Sequence, residues 1–265
     1  AVIKPLNMKQ SSLALGCMAA LMMLAACSRT PVPPAPFGAT PAERQLSWHD
    51  QEYYAFVHFN INTFSDLEWG HGTEPPTIFN PTQLDCRQWA RIAKAAGMKG
   101  IIITAKHHDG FCLWPSAFTE HSVRNSPWRD GKGDVLRELS DACKEYGLKM
   151  GVYLSPWDRN NPKYGTPEYN GYFMQQLTEV LTGYGDIFEV WFDGANGEGP
   201  NGKKQEYDWP AFIETVRKNQ PNAVIFSDAG PDIRWVGTEA GFANPTNWAT
   251  LNRDDYFPGT PRYMD

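Results

Sequence analysis

The chain has 265 residues, 42% hydrophobic and 20% charged, enough for one large domain with its own core. A net charge of −6 at pH 7 argues against a nucleic-acid partner, which would ask for a basic face. The unusual feature is aromatic content: 10 Trp and 11 Tyr exceed what packing alone asks for, and flat aromatic faces suit the apolar faces of sugar rings.

Met8-Lys9 opens a short positive region, and Leu13 to Ala26 is a nearly unbroken apolar stretch. It is shorter than the ~20 residues of a membrane-spanning helix. It therefore reads as a signal sequence, with Met8 as the start and residues 1–7 as upstream read-through. The stretch ends Leu24-Ala25-Ala26-Cys27, which resembles the bacterial lipobox, so Cys27 is the expected site of acylation after cleavage. That implies export and a lipid anchor in a bacterial membrane, the outer one by expectation, with the protein facing the periplasm or the cell surface. An ordinary signal peptide with an incidental Cys is the alternative. Pro31, Pro33, Pro34 and Pro36 then keep the chain extended. The domain reading is a leader over 1–27, a Pro-rich tether over 28–46 and one catalytic unit over 47–265. Beyond Cys17 and Cys27 only Cys86, Cys112 and Cys143 remain. Three is odd and no CxxC spacing occurs, so neither a disulfide framework nor a zinc site is indicated; small buried hydrophobes are expected.

From Ser47 onward, short apolar runs alternate with helical patterns. Ala55 to Asn60 reads as a strand, and Leu84 to Ala96 as a helix with Gly97 as its cap. Gly100 to Lys106 (GIIITAK) is a continuous β-branched run, as a strand buried on both faces would be. Val135 to Tyr146 is helical and stopped by Gly147; Met150 to Ser155 is a third strand. Tyr169 to Thr182 is a helix, Ile187 to Asp193 a fourth strand and Trp209 to Lys218 a further helix. Ala223 to Ser227 and Ile233 to Gly237 complete six strands.

Alternating strands and helices mean a parallel sheet, either open and doubly wound or closed as a (β/α)8 TIM-like barrel. No Gly-rich phosphate loop follows the first strand, which disfavours the dinucleotide-binding version. Polar residues fall at the C-terminal ends of the strands: His58, His107-His108, Tyr153, Asp193, Asp228 and Glu239. Barrel enzymes place their chemistry there, so an α/β barrel is the fold class. Asn247 to Asp265 shows no further strand–helix unit, so the last units of the barrel are expected to be missing.

On the fourth strand, alternation puts Glu189, Trp191 and Asp193 on one face, with Gly194 ending the strand and Asp193 at the rim. A lone Asp before Gly is more often a turn former. His107 and His108 could suggest a metal, but neighbours on a strand point apart and no further His or Cys lies at ligand spacing. Hydrogen bonding to ligand hydroxyls suits neutral imidazole better, with satisfied core histidines as the plainer reading.

Taken together, His58-Phe59, Glu68-Trp69, KHHDGF at 106–111, Gly151-Val152-Tyr153 and Trp191-Phe192-Asp193-Gly194 resemble the motifs of glycoside hydrolase family 29, the retaining α-L-fucosidases. The resemblance runs from about Trp48 to Pro261. It implies that Asp193 corresponds to the nucleophile. It also implies that His58, Glu68, Trp69, His107, His108 and Tyr153, with Trp191 beside them, hold the fucose ring and hydroxyls. Arg234 to Glu239 looks like the segment supplying the acid/base in the branch that prefers α-1,3/1,4-linked fucose, and Glu239 lies 46 residues after Asp193. Glu198 and Glu206 are rivals, in a Gly-rich loop that makes a poor platform for a rigid acid. Retention needs two carboxyl groups about 5–5.5 Å apart, one ionised nucleophile and one protonated acid. No metal or organic cofactor is called for. The competing readings are another retaining glycosidase, such as a galactosidase, and a truncated, non-catalytic sugar-binding surface lipoprotein.

Overall fold

The computed structural model describes residues 32–227, 230–236 and 245. The leader with Cys27, and the candidates Asp228 and Glu239, lie outside these residues. Two compact units are distinguished, Ala1–Thr40 and Pro41–Asp265. The described part of the first, residues 32–40, carries no helix or strand.

The second unit opens with helix α1 (Glu43–His49), which starts inside the stretch expected to be tether. Then follow β1 (Ala55–Val57), α2 (Cys86–Ala95), β2 (Gly100–Lys106), α3 (Val135–Tyr146), β3 (Lys149–Leu154), α4 (Pro167–Gly183), β4 (Ile187–Trp191), α5 (Trp209–Asn219), β5 (Val224–Ser227) and β6 (Ile233–Arg234). Three of the four helices between β1 and β5 carry a side-chain cap at their start. Asp85, Asp134 and Asp208 accept backbone N–H groups in the first turns of α2, α3 and α5. Gly147 takes the left-handed conformation (φ 63°) that ends α3.

The six strands are all parallel and adjoin in chain order, β1-β2-β3-β4-β5-β6. This is the wall of a (β/α) barrel, of which six strands form a part; a doubly wound sheet would reverse its order about the first strand. A row of apolar side chains crosses the first five strands in register: Val57, Ile103, Val152, Val190, Ile225. Every residue of β2 is buried, as its unbroken run predicts. Fully burying each of its isoleucines contributes about 1.5–3 kcal/mol. Around the sheet, Leu136, Leu139, Phe173, Leu177, Val180, Phe212 and Val216 from α3, α4 and α5 close the core. Cys86, Cys112 and Cys143 are buried and unbonded to one another.

Two boundaries differ from the sequence reading in ways that matter. β4 stops at Trp191, so Asp193 stands two residues beyond the strand, where its carboxylate is free of the sheet's alternation. β6 is a two-residue stub, and residues 228–232 are too few for a helical crossover. Asp232 ties this stub down instead: Arg44 and Arg217 pair with its carboxylate, and the amide of Ile225 donates to it.

Candidate active site

The C-terminal ends of β1 to β4 bring their polar residues to one place. Asp193 is half-buried, and both of its carboxylate oxygens accept hydrogen bonds. The Ala195 amide donates to Oδ1 at 2.7 Å, and the Tyr153 hydroxyl donates to Oδ2 at 2.8 Å. His108 Nε2 lies 3.9 Å from the same Oδ2. The Ala195 amide and the Tyr153 hydroxyl are thus the two donors that hold the carboxylate. Tyr153 is itself buried, and burial reinforced by the neighbouring Asp193 charge pushes its phenol well above the ordinary range, so it stays a donor.

The histidines form a stack rather than diverging. β2 ends at Lys106, and the chain turns immediately afterwards, so strand alternation does not reach His107 and His108. Their ring centroids are 4.0 Å apart, and the His58 ring meets the His107 ring edge-on at 4.6 Å. Burial drives both members of the pair toward the neutral form, His107 down to about 2 and His108 down to about 4. For His107 the neighbouring imidazoles add to burial; for His108 the Asp193 carboxylate pulls the other way. His58, at the exposed rim, is lowered by desolvation against the charges of Asp193 and Glu68. Neutral imidazoles offer one donor and one acceptor each, which matches sugar hydroxyls.

Aromatic rings complete the cleft. Tyr153 tilts against Trp191 at 5.1 Å, and Trp191 stacks on Phe226 at 4.6 Å. On the other side the Trp157 ring packs against His108 at 4.7 Å and meets Trp69 at 5.7 Å. Trp69 is 50% exposed, which puts an apolar ring at the opening rather than in the core. Its loop is clamped from the segment after β3: Arg159 donates to the Gly70 carbonyl, and Asn160 Nδ2 donates to the Gly72 carbonyl at 2.8 Å. Glu68 is exposed beside this loop.

Behind the histidines sits a buried ion pair. Lys106 Nζ reaches Asp158 Oδ2 at 3.2 Å and Gln176 Oε1 at 2.9 Å, with the Phe173 ring centroid 5.2 Å away. The other Asp158 oxygen accepts the amides of Asn160 and Asn161. One pair thus joins the end of β2 to the loop that carries Trp157 and clamps Trp69.

Asp193, His58, His107, His108, Tyr153, Trp191 and Trp69 therefore meet. Glu198 and Glu206 are exposed, and their backbone carbonyls serve Trp157 Nε1 and Asn170 Nδ2. Ser155, Trp157, Lys106 and Asp158 were not foreseen as site residues; for Ser155 and Trp157 the one signal was their position at and just past the end of the third predicted strand. Among the described residues, no three His, Cys, Asp or Glu side chains gather to hold a metal ion.

The strand ends of this parallel barrel wall thus gather a donor-held carboxylate, neutral histidines and an exposed indole. Residues 38–247 match the family model described as Alpha-L-fucosidase. Over 221 residues the chain is 52% identical to Alpha-L-fucosidase 1 of Arabidopsis thaliana, covering 83% of this chain and 43% of that protein. The structure of a glycoside hydrolase 29 family member from an unknown rumen bacterium is 55% identical, with a TM-score of 0.79 over 86% of this chain and 44% of that one. A Ruminococcus gnavus GH29 fucosidase in complex with fucose is 35% identical, with a TM-score of 0.74 over 85% of this chain and 52% of that one. The chain belongs to the alpha-L-fucosidase family. It spans 43% of the Arabidopsis thaliana protein and 42% of Putative alpha-L-fucosidase 1 of Oryza sativa subsp. japonica, less than half the length of either.

Proposed function

We propose that this chain carries the nucleophile side of a retaining exo-α-L-fucosidase site, acting on terminal α-linked L-fucose of oligosaccharides and glycoconjugates. The observation that carries the reading is the Asp193 carboxylate, held between the Tyr153 hydroxyl and the Ala195 amide beside the paired histidines. In this reading an Asp193 oxygen attacks the anomeric carbon and forms a glycosyl-enzyme ester as the leaving oxygen takes a proton from the acid. The same acid then deprotonates the water that cleaves the ester, with net retention. His58, His107, His108, Tyr153 and Glu68 hydrogen-bond the sugar, with Trp69 and Trp191 supplying apolar surface.

Glu239 is the proposed acid/base; it lies outside the described residues, and its spacing from Asp193 supports it. The same segment supports a preference for branched α-1,3/1,4-linked fucose. An exported, lipid-anchored life is proposed from the Leu24 to Cys27 segment. The relative that binds fucose supports the sugar assignment.

The test compares an aryl α-L-fucoside with a branched trisaccharide for wild type, Asp193→Ala and Glu239→Ala. Asp193→Ala should abolish turnover and keep binding. Glu239→Ala should hurt the trisaccharide far more than the activated aryl substrate, with azide restoring cleavage of the latter. Turnover unaffected in Asp193→Ala would sink the nucleophile assignment. Binding without cleavage by the wild type would favour a sugar-binding lipoprotein.

A further inference from the structure

His108 turns Nε2 toward Asp193 Oδ2, 3.9 Å away, and Nδ1 toward Ser155 Oγ, 2.7 Å away. Which nitrogen carries the proton follows from where the single Ser155 proton goes. Ser155 Oγ is 3.0 Å from the Trp157 carbonyl oxygen, which can only accept. The other polar neighbour is the Tyr153 hydroxyl, whose own proton lies on Asp193 Oδ2, so toward Ser155 it too can only accept. Either way the Ser155 proton points away from the imidazole, and its lone pair faces Nδ1. A lone pair there requires Nδ1–H.

We propose that Ser155 is a positioning residue that fixes His108 as the Nδ1–H tautomer, leaving Nε2 a bare acceptor for a substrate hydroxyl next to the nucleophile. Burial keeps the ring neutral, so no second proton returns to Nε2 at ordinary pH. The 3.9 Å gap to Asp193 Oδ2 is too long for a direct hydrogen bond, and it separates two acceptors. That leaves Nε2 free to accept a hydrogen bond, which a ligand hydroxyl beside Asp193 would donate. His107 differs: its Nδ1 is buried with no hydrogen-bond partner among the described residues, so no such relay sets its tautomer. The backbone of Ser155 is held by the sheet: its amide donates to the Lys106 carbonyl at 2.9 Å and continues the β2–β3 ladder one residue past Leu154.

The identity of the donor as a fucoside hydroxyl rests on the proposed function; the tautomer does not. The test labels the full chain with 15N-histidine and records long-range proton–nitrogen correlations, assigning His108 by the signal lost in His108→Gln. The expected result is a protonated Nδ1 and an unprotonated Nε2. Ser155→Ala should mix the tautomers and lower kcat/KM on an aryl α-L-fucoside roughly tenfold, the scale of one lost hydrogen bond. Ser155→Thr, which keeps the hydroxyl, should restore both. A wild-type signal with Nε2–H overturns the proposal and needs no variant to fold. So does a folded Ser155→Ala that keeps both tautomer and rate. If no form cleaves the fucoside while the Nδ1–H pattern is present and is lost in Ser155→Ala, the proposed function fails and the role of Ser155 stands.

Discussion

Asp193 depends on two donors of different kinds, a backbone amide that no side-chain substitution removes and the Tyr153 hydroxyl that one atom's change does. Tyr153→Phe keeps the ring that packs on Phe56 and Trp191, so the melting temperature should move little. A hydrogen bond to a charged group is worth about 1.5–3 kcal/mol, so kcat/KM on an aryl fucoside should fall roughly 10- to 100-fold. Unchanged turnover would remove Tyr153 from the site. Counting apolar runs put both residues near the rim, but their roles came only with the resemblance to the family motifs, and the strand before Asp193 stops two residues short of it. The histidine pair was legible as a site but not in its geometry. Alternation holds only while the backbone is extended, and the turn after Lys106 brings together two rings that a strand would have parted. Ser155 was read as the end of a strand; its work depends on where one proton points, which no spacing encodes.

At the scale of elements, β2 and the segment after β3 are bound by Lys106 and Asp158, 52 residues apart and both buried. Long-range pairing of that kind leaves no periodic trace, and Lys106 looked like the polar end of an apolar run. Removing one partner strands an uncompensated buried charge, at a cost of about 3–5 kcal/mol. Lys106→Met and Asp158→Asn should each destabilise the chain on that scale. The double variant should recover part of the loss, as a cycle of urea unfolding midpoints would measure. Additive losses would mean that the two side chains act through other neighbours. Because Asp158 also fixes the amides of Asn160 and Asn161, the single variants should loosen the Trp69 loop, raising KM more than they lower kcat. The strand–helix order was the most readable level, since α2, α3 and α5 each open on an Asp cap and α3 stops at a Gly. The departures lie where tertiary contacts replace local signals: α1 inside the expected tether, and a sixth strand set by Asp232 rather than by a crossover helix.

For the molecule as a whole, the end of the sheet opposite the site has its own polar anchor. Ser47 and Trp48 of α1 reach the strands there: Lys149 Nζ lies 3.5 Å from Ser47 Oγ, and Trp48 Nε1 donates to Glu189 Oε2 at 2.8 Å. Glu189 has no exposure, and burial raises its carboxyl to about 7, against the pull of hydrogen bonds from Trp48 and Tyr54. The unfolded chain would release that proton near the ordinary glutamate value of about 4.3. A raised carboxyl contributes stability that is whole below the unfolded value and is lost as pH rises through the folded one. Glu189→Gln keeps an acceptor for Trp48 and cannot ionise, so it lacks this loss. Relative to wild type, its stability should therefore improve by about 2–4 kcal/mol between pH 4 and pH 8. Comparing the two chains at each pH cancels the opposing contribution of His107 and His108, which are held neutral and lose stability as pH falls below about 6.5. Urea midpoints at pH 4, 6 and 8 would measure it. A difference that stays constant across that range would show that Glu189 enters the folded barrel already ionised, and that Trp48 anchors α1 to a carboxylate rather than to a carboxylic acid.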